Sequence, residues 1–162
     1  MAVDSLTDGQ IAELITCRKH VERANQKLRQ EGKHLRRDFI AKSVDERHEF
    51  VIFTRQSTII PESFSVGLRW KSKTGEEVIL IRCNGSDHEH TNTIERERFS
   101  GRCHVHTATE RYASIGKKID SFARPEGIYR TLDGALHHLA QLAGISGLDT
   151  QADNPGLFED LP

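Results

Sequence analysis

The chain has no long apolar run. Its longest, Val78–Ile81 and Phe50–Phe53, fall far short of the roughly 20 residues that a spanning helix needs. The N-terminus shows no basic segment followed by an apolar one, the mark of a secretory leader. Cysteine is scarce: Cys17, Cys83 and Cys103 are an odd number, show no C-x-x-C spacing, and read as small buried hydrophobes rather than a disulfide framework. These absences predict a cytoplasmic protein in a reducing compartment, with no membrane partner. Net charge is also missing. Twenty-three basic residues stand against 24 acidic ones, a formal charge of −1, so no whole-molecule field draws in nucleic acid. No glycine-rich phosphate loop is present, because Asn84-Gly85-Ser86 is only a turn signal and Gly101 stands alone. Nucleophile motifs built on Ser, Cys or Thr are absent, as are internal repeats and low-complexity tracts.

A chain of 162 residues fits one domain with one core. Thr7 or Asp8 can cap a first helix, along which Ile11, Leu14, Ile15, Val21, Ala24 and Leu28 fall on one stripe. Gly32 ends it and a second helical piece follows, giving an N-terminal helical segment over 7–42. Residues 18–42 hold nine Lys or Arg against three acids. The run reads first as the solvated face of an amphipathic helix and second as a phosphate-facing stripe in which Lys33, Arg36 and Arg37 bind substrate. From residue 48 the period shortens. Phe50–Thr54 suits a buried strand, Phe64, Val66, Leu68 and Trp70 alternate, and a turn at Lys73-Thr74-Gly75 leads into Glu76–Cys83. Cys103–Thr107 is a further strand, and Leu132–Ala143 is a helix stopped by Gly144. The expected class is α+β: an antiparallel sheet of about four strands, with N-terminal and C-terminal helices packed on it. The domain spans 1–145. A flexible acidic tail follows over 146–162, with Asp149, Asp153, Glu159 and Asp160 and no Lys or Arg.

Four of the nine histidines lie between residues 88 and 106, as His88-Glu89-His90 and His104-Val105-His106. On a strand, side chains at i and i+2 leave the same face, so each pair can aim two imidazoles into one pocket. Two chemistries follow. The four rings His88, His90, His104 and His106 are candidate ligands for a divalent transition metal. Alternatively His90, His104 and His106 act as general acid and base on a phosphodiester. In that case Arg82 clamps the negative charge, Asn84 and Asn92 orient substrate or water, and Glu110 fixes a histidine tautomer. His137-His138 lies on the last helix, where His138 can face the sheet but solvation on the helix surface is the first reading. In every case the plain alternative is a histidine that satisfies loop backbone.

The order Leu80-Ile81-Arg82, Asn84-Gly85, His90-Thr91-Asn92, His104-Val105-His106 and Glu110, followed by a closing helix, resembles a group of small uncharacterised bacterial and phage domains. The wider pattern is similar to the TumE-type toxins of toxin–antitoxin pairs. The likeness runs from about Phe50 to Ala143. The charged insertion Thr93–Arg102 and the acidic tail depart from it. The resemblance implies a phage or mobile-element setting and an activity directed at RNA or a nucleotide. The first expectation is therefore a phosphodiester-directed hydrolase of ribonuclease type. The alternative is a non-catalytic inhibitor or adaptor that holds a protein partner through its sheet edge and acidic tail. A metal-sensing site is a third, lesser reading.

Overall fold

A computed structural model describes residues 5–23 and 27–148. Ala24 of the expected helical stripe, and the acidic tail from Asp149 onward, lie outside the described residues. Thr7 caps the first helix, α1 (Asp8–Thr16): its hydroxyl accepts the Gln10 N–H at 3.1 Å, and the Gln10 side chain accepts the Thr7 N–H at 2.9 Å. Ile11, Leu14 and Ile15 are the buried stripe.

The expected helical segment over 7–42 is corrected here. After Thr16 the chain forms strands β1 (Lys19–Arg23), β2 (Arg29–Glu31) and β3 (His34–Ser43). The helical stripe through Val21 and Leu28 competes with a period of two further on: Phe39, Ala41 and Ser43 are buried while Ile40 between them is exposed. Gly32, read as a helix stop, sits at φ 60° in the two-residue loop that turns β2 into β3. Both roles need the left-handed conformation that glycine adopts freely, so the residue alone does not distinguish them.

The remaining strands are β4 (Glu49–Ser57), β5 (Phe64–Lys71), β6 (Glu77–Asn84), β7 (His90–Asn92), β8 (Glu97–Phe99), β9 (His104–Thr107), β10 (Phe122–Pro125) and β11 (Ile145–Ser146). Helices α2 (Glu110–Ser114) and α3 (Leu132–Leu142) complete the described elements. The main sheet runs β10-β9-β6-β5-β4-β3-β1-β11, with β2 beside β3 on the edge that β1 also uses. Its pairs are antiparallel except β1 with β11, which is parallel. This overturns the expected four-strand sheet: among the described residues the fold is a nine-stranded mixed sheet with a separate β7–β8 hairpin. The extra strands come from the misread N-terminal third and from short segments whose pairing depends on distant partners.

α3 lies across β4, β5 and β6, and α1 packs on β6. Phe39, Ile52, Val66, Leu68, Leu80, Leu136 and Leu139 are fully buried in one core between helices and sheet. Buried Lys19 joins the two helices. Its ammonium donates to the carbonyls of Ile15 at 2.7 Å, Cys17 at 2.7 Å and Ala143 at 2.9 Å. These are unpaired carbonyls at the C-terminal ends of α1 and α3, where a cation also meets both helix dipoles favourably. The Phe50 ring lies 4.7 Å from the same nitrogen, and burial pushes the Lys19 pKa below its usual value. Among the described residues no helix is long and apolar enough to cross a membrane.

Candidate active site

The opposite face of the sheet carries the histidines. β6 and β9 pair with Arg82 opposite His106, Cys83 opposite Val105, and Asn84 opposite His104. Cys83 and Val105 enter the core, at 0% and 4% exposure, so strand alternation sends Arg82, His104 and His106 to the other side. There the β7–β8 hairpin covers them. The His90 ring lies 4.8 Å from His106 and 5.8 Å from His104, and the last two are 5.1 Å apart. Phe99, across the hairpin from His90, sits 5.3 Å from His104.

Backbone carbonyls fix the tautomers, since a carbonyl only accepts. His104 donates Nδ1–H to Arg102 O at 2.9 Å, and His106 donates Nδ1–H to Asp120 O at 2.9 Å. Burial is the main cause lowering both imidazole pKa values, and His106 reaches about 3 with nearby Arg82 contributing. Both rings are therefore neutral at pH 7, with Nε2 carrying the lone pair. His90 is oriented differently. The Asn92 side chain accepts the Ala123 N–H at 2.9 Å and donates to the Ala123 carbonyl at 2.7 Å, which defines its oxygen. That oxygen accepts Nε2–H of His90 at 2.8 Å, so Nδ1 is the nitrogen left for proton exchange. The same clamp ties the hairpin to the outer edge of β10 and satisfies that edge.

A cavity of about 220 Å³ opens beside the rings, where Arg82, His90 and His106 meet Lys117, Lys118 and Asp120. Asp120 organises it twice. Its carboxylate is 3.3 Å from the Arg82 guanidinium, and its carbonyl holds His106. Arg82 Nε is buried without a hydrogen-bond partner. The lysines arrive through local chemistry: α2 closes with Gly116 N–H bonded to Ala113 O and Lys117 N–H to Tyr112 O, each at 3.1 Å, around Gly116 at φ 76°. This glycine-closed helix end turns the chain back, so Lys117 and Lys118 border the cavity.

Several sequence candidates lie elsewhere. His104 is 1% exposed, sealed under Phe99, and does not border the cavity. His88 is exposed and lies 3.9 Å from Asp87. Among the described residues no three His, Cys, Asp or Glu side chains are arranged to hold a metal ion. Of the expected ligands His88, His90, His104 and His106, His88 stands outside the cluster, and His90 commits one nitrogen to Asn92. Glu110 is not a partner of the histidines. Its N–H bonds the Asp8 carboxylate at 2.8 Å and its carboxylate accepts the Asp8 N–H at 3.2 Å, so α1 and α2 cap one another. Asn84 is buried and accepts from Ser65 at 3.1 Å, away from the cavity. Lys33, Arg36 and Arg37 sit on or beside the β2–β3 hairpin, with β4 and β5 between them and β6. Arg36 pairs with Asp38 at 3.4 Å and Glu31 at 3.8 Å. His138, expected on the helix surface, is buried beside Tyr129 and 3.7 Å from Glu126. Lys117, Lys118 and Asp120 were missed; only Gly116 after a capped short helix signalled the turn.

A family model described as a family of unknown function, DUF6978, matches residues 6–138. No curated protein and no solved structure matches the chain.

Proposed function

We propose that this chain, which belongs to the family of unknown function DUF6978, is a phosphodiester-directed hydrolase acting on RNA or a nucleotide. The observation that carries the reading is the convergence of a neutral, tautomer-fixed His106, a differently oriented His90 and the Arg82–Asp120 pair on one cavity. In the proposed step His106 Nε2 takes a proton from water as its oxygen bonds to phosphorus. The phosphorus–ester oxygen bond breaks, and the leaving oxygen takes a proton from Nδ1 of the His90 imidazolium. Arg82 holds the non-bridging oxygens where charge develops. His104 and Asn92 are positioning residues, one packing the rings and the other setting the His90 tautomer. The likeness of the histidine pattern to TumE-type toxins extends the proposal to a phage or mobile-element setting in the cytoplasm, where free Cys17, Cys83 and Cys103 are at ease.

The test is cleavage of a labelled oligoribonucleotide by the wild type, His106→Gln and Arg82→Ala, with each variant's fold checked by circular dichroism. Loss of a positioned base costs about 10²–10⁴ in rate. Folded variants that cleave as fast as wild type would remove the mechanism. A folded wild type that binds the oligonucleotide without cleaving it would favour a non-catalytic binding protein.

A further inference from the structure

The cavity beside His106 has a charge imbalance that no sequence motif announced. Arg82, Lys117 and Lys118 border it, against the single carboxylate of Asp120. With the histidines left out of the count, three cations face one anion. That carboxylate is already engaged, 3.3 Å from Arg82. The next acid, Glu95, is drawn off by Arg111 at 2.7 Å and by the Tyr112 hydroxyl at 2.6 Å. Thr91, Thr93 and Ser121 complete the rim, with the Ser121 hydroxyl donating to the Lys118 carbonyl at 2.7 Å. Among the described residues, Tyr112 is the one large aromatic side chain besides the histidines that lines the space, and its roughly 220 Å³ is below the 300–1,000 Å³ or so of sites for drug-sized ligands. It is sized for phosphate groups rather than for a base.

We infer that the Lys117–Lys118 side of this cavity is a binding site for a terminal phosphomonoester, next to the scissile diester that Arg82 holds, and that the enzyme therefore works preferentially at phosphorylated ends. A phosphomonoester carries about −1.5 to −2 at pH 7, which matches the two lysine charges, whereas an internal diester carries one charge and leaves a lysine unpaired. The planar Arg82 fork holds the two non-bridging oxygens of the diester at once, and the lysines act as point charges on the terminal group. Lys117 and Lys118 follow Gly116 directly, so the closing geometry of α2 sets their reach. This inference rests on the phosphodiester reading above and adds to it where on a nucleic acid the enzyme works.

The experiment uses the full chain and three probes: inorganic phosphate, an oligoribonucleotide with phosphorylated ends, and the same oligomer with hydroxyl ends. Binding is followed by calorimetry and cleavage by gel, for the wild type, Lys117→Gln, Lys118→Gln and the double variant. Both lysines are exposed, so the variants are expected to fold, and their melting temperatures check this. The expected result is binding of inorganic phosphate, preference for the phosphorylated oligomer, and a loss of about tenfold per lysine removed. Equal handling of phosphorylated and hydroxyl ends, with cleavage intact, would overturn the end-selective site while leaving the hydrolase reading standing. Phosphate binding that the lysine variants weaken, with no cleavage of either oligomer, would support the site and defeat the hydrolase. No phosphate binding together with no cleavage would overturn both.

Discussion

Acidification tests whether His106 is held neutral inside the fold. Its ordinary pKa near 6.5 falls to about 3 in the folded protein, chiefly through burial, with Arg82, His104 and His90 adding repulsion. The unfolded chain therefore binds a proton between those limits that the folded chain refuses. The stabilising contribution is complete above pH 6.5 and drains away as pH falls toward 3. At 1.36 kcal/mol per pKa unit, the loss from His106 alone is about 2 kcal/mol at pH 5 and about 3 kcal/mol at pH 4. His104 adds in the same direction, because its imidazole is also lowered by burial. The carboxyls of Glu95 and Asp45, held low by hydrogen bonds from Tyr112 and Ser43, weaken the fold only at still lower pH. The window from pH 7 to 5 thus isolates the histidines. Urea unfolding of the wild type and His106→Gln at pH 7, 6 and 5 measures the difference. The variant starts less stable, and the informative quantity is the slope. The wild type should lose about 1 M more in urea midpoint than the variant across the window, at an m-value of about 2 kcal/mol/M. Parallel slopes would refute the claim that His106 is buried as the neutral base.

Two further outcomes follow from the contacts. Lys19→Met leaves the carbonyls of Ile15, Cys17 and Ala143 without their shared donor. Relief of the buried charge offsets part of this, and a loss of about 3–5 kcal/mol is expected in chemical denaturation. Asn92→Leu strips the Ala123 N–H and carbonyl and the His90 ring of their partner. It should cost about 2–4 kcal/mol and raise hydrogen exchange selectively in β7, β8 and β10, whereas an undisturbed hairpin would show that packing on Phe99 suffices.

Where the chain carries its own pattern, the structure was legible in the sequence. Phe64, Val66, Leu68 and Trp70 alternate because one face of β5 meets the helices, and Leu136 and Leu139 mark α3 for the same reason. The N-terminal third was not legible, because Val21 and Leu28 fit a helical stripe by accident while the decisive alternation at Phe39 and Ala41 comes later. The segment 93–102, read as an insertion, supplies β8 and the Phe99 that seals His104; three-residue strands hold only through their partners. In the site, i and i+2 spacing placed His104 and His106 on one face. Spacing carried no word of Asp120, whose backbone carbonyl and side chain do the organising. Glu110 looked like a histidine partner only by nearness in sequence, and the helix N-terminus at Asp8 claims it instead.

The most direct test of the whole account is a nitrogen-15 spectrum of the histidine side chains at pH 7, recorded before and after addition of inorganic phosphate. The expected result is a neutral His106 protonated at Nδ1, with its Nε2 resonance and the Nδ1 resonance of His90 moving as phosphate fills the cavity, and the His104 resonances nearly still. A His106 protonated at Nε2, or imidazole resonances indifferent to phosphate, would mean that the three rings are packing and that the function lies elsewhere on the molecule.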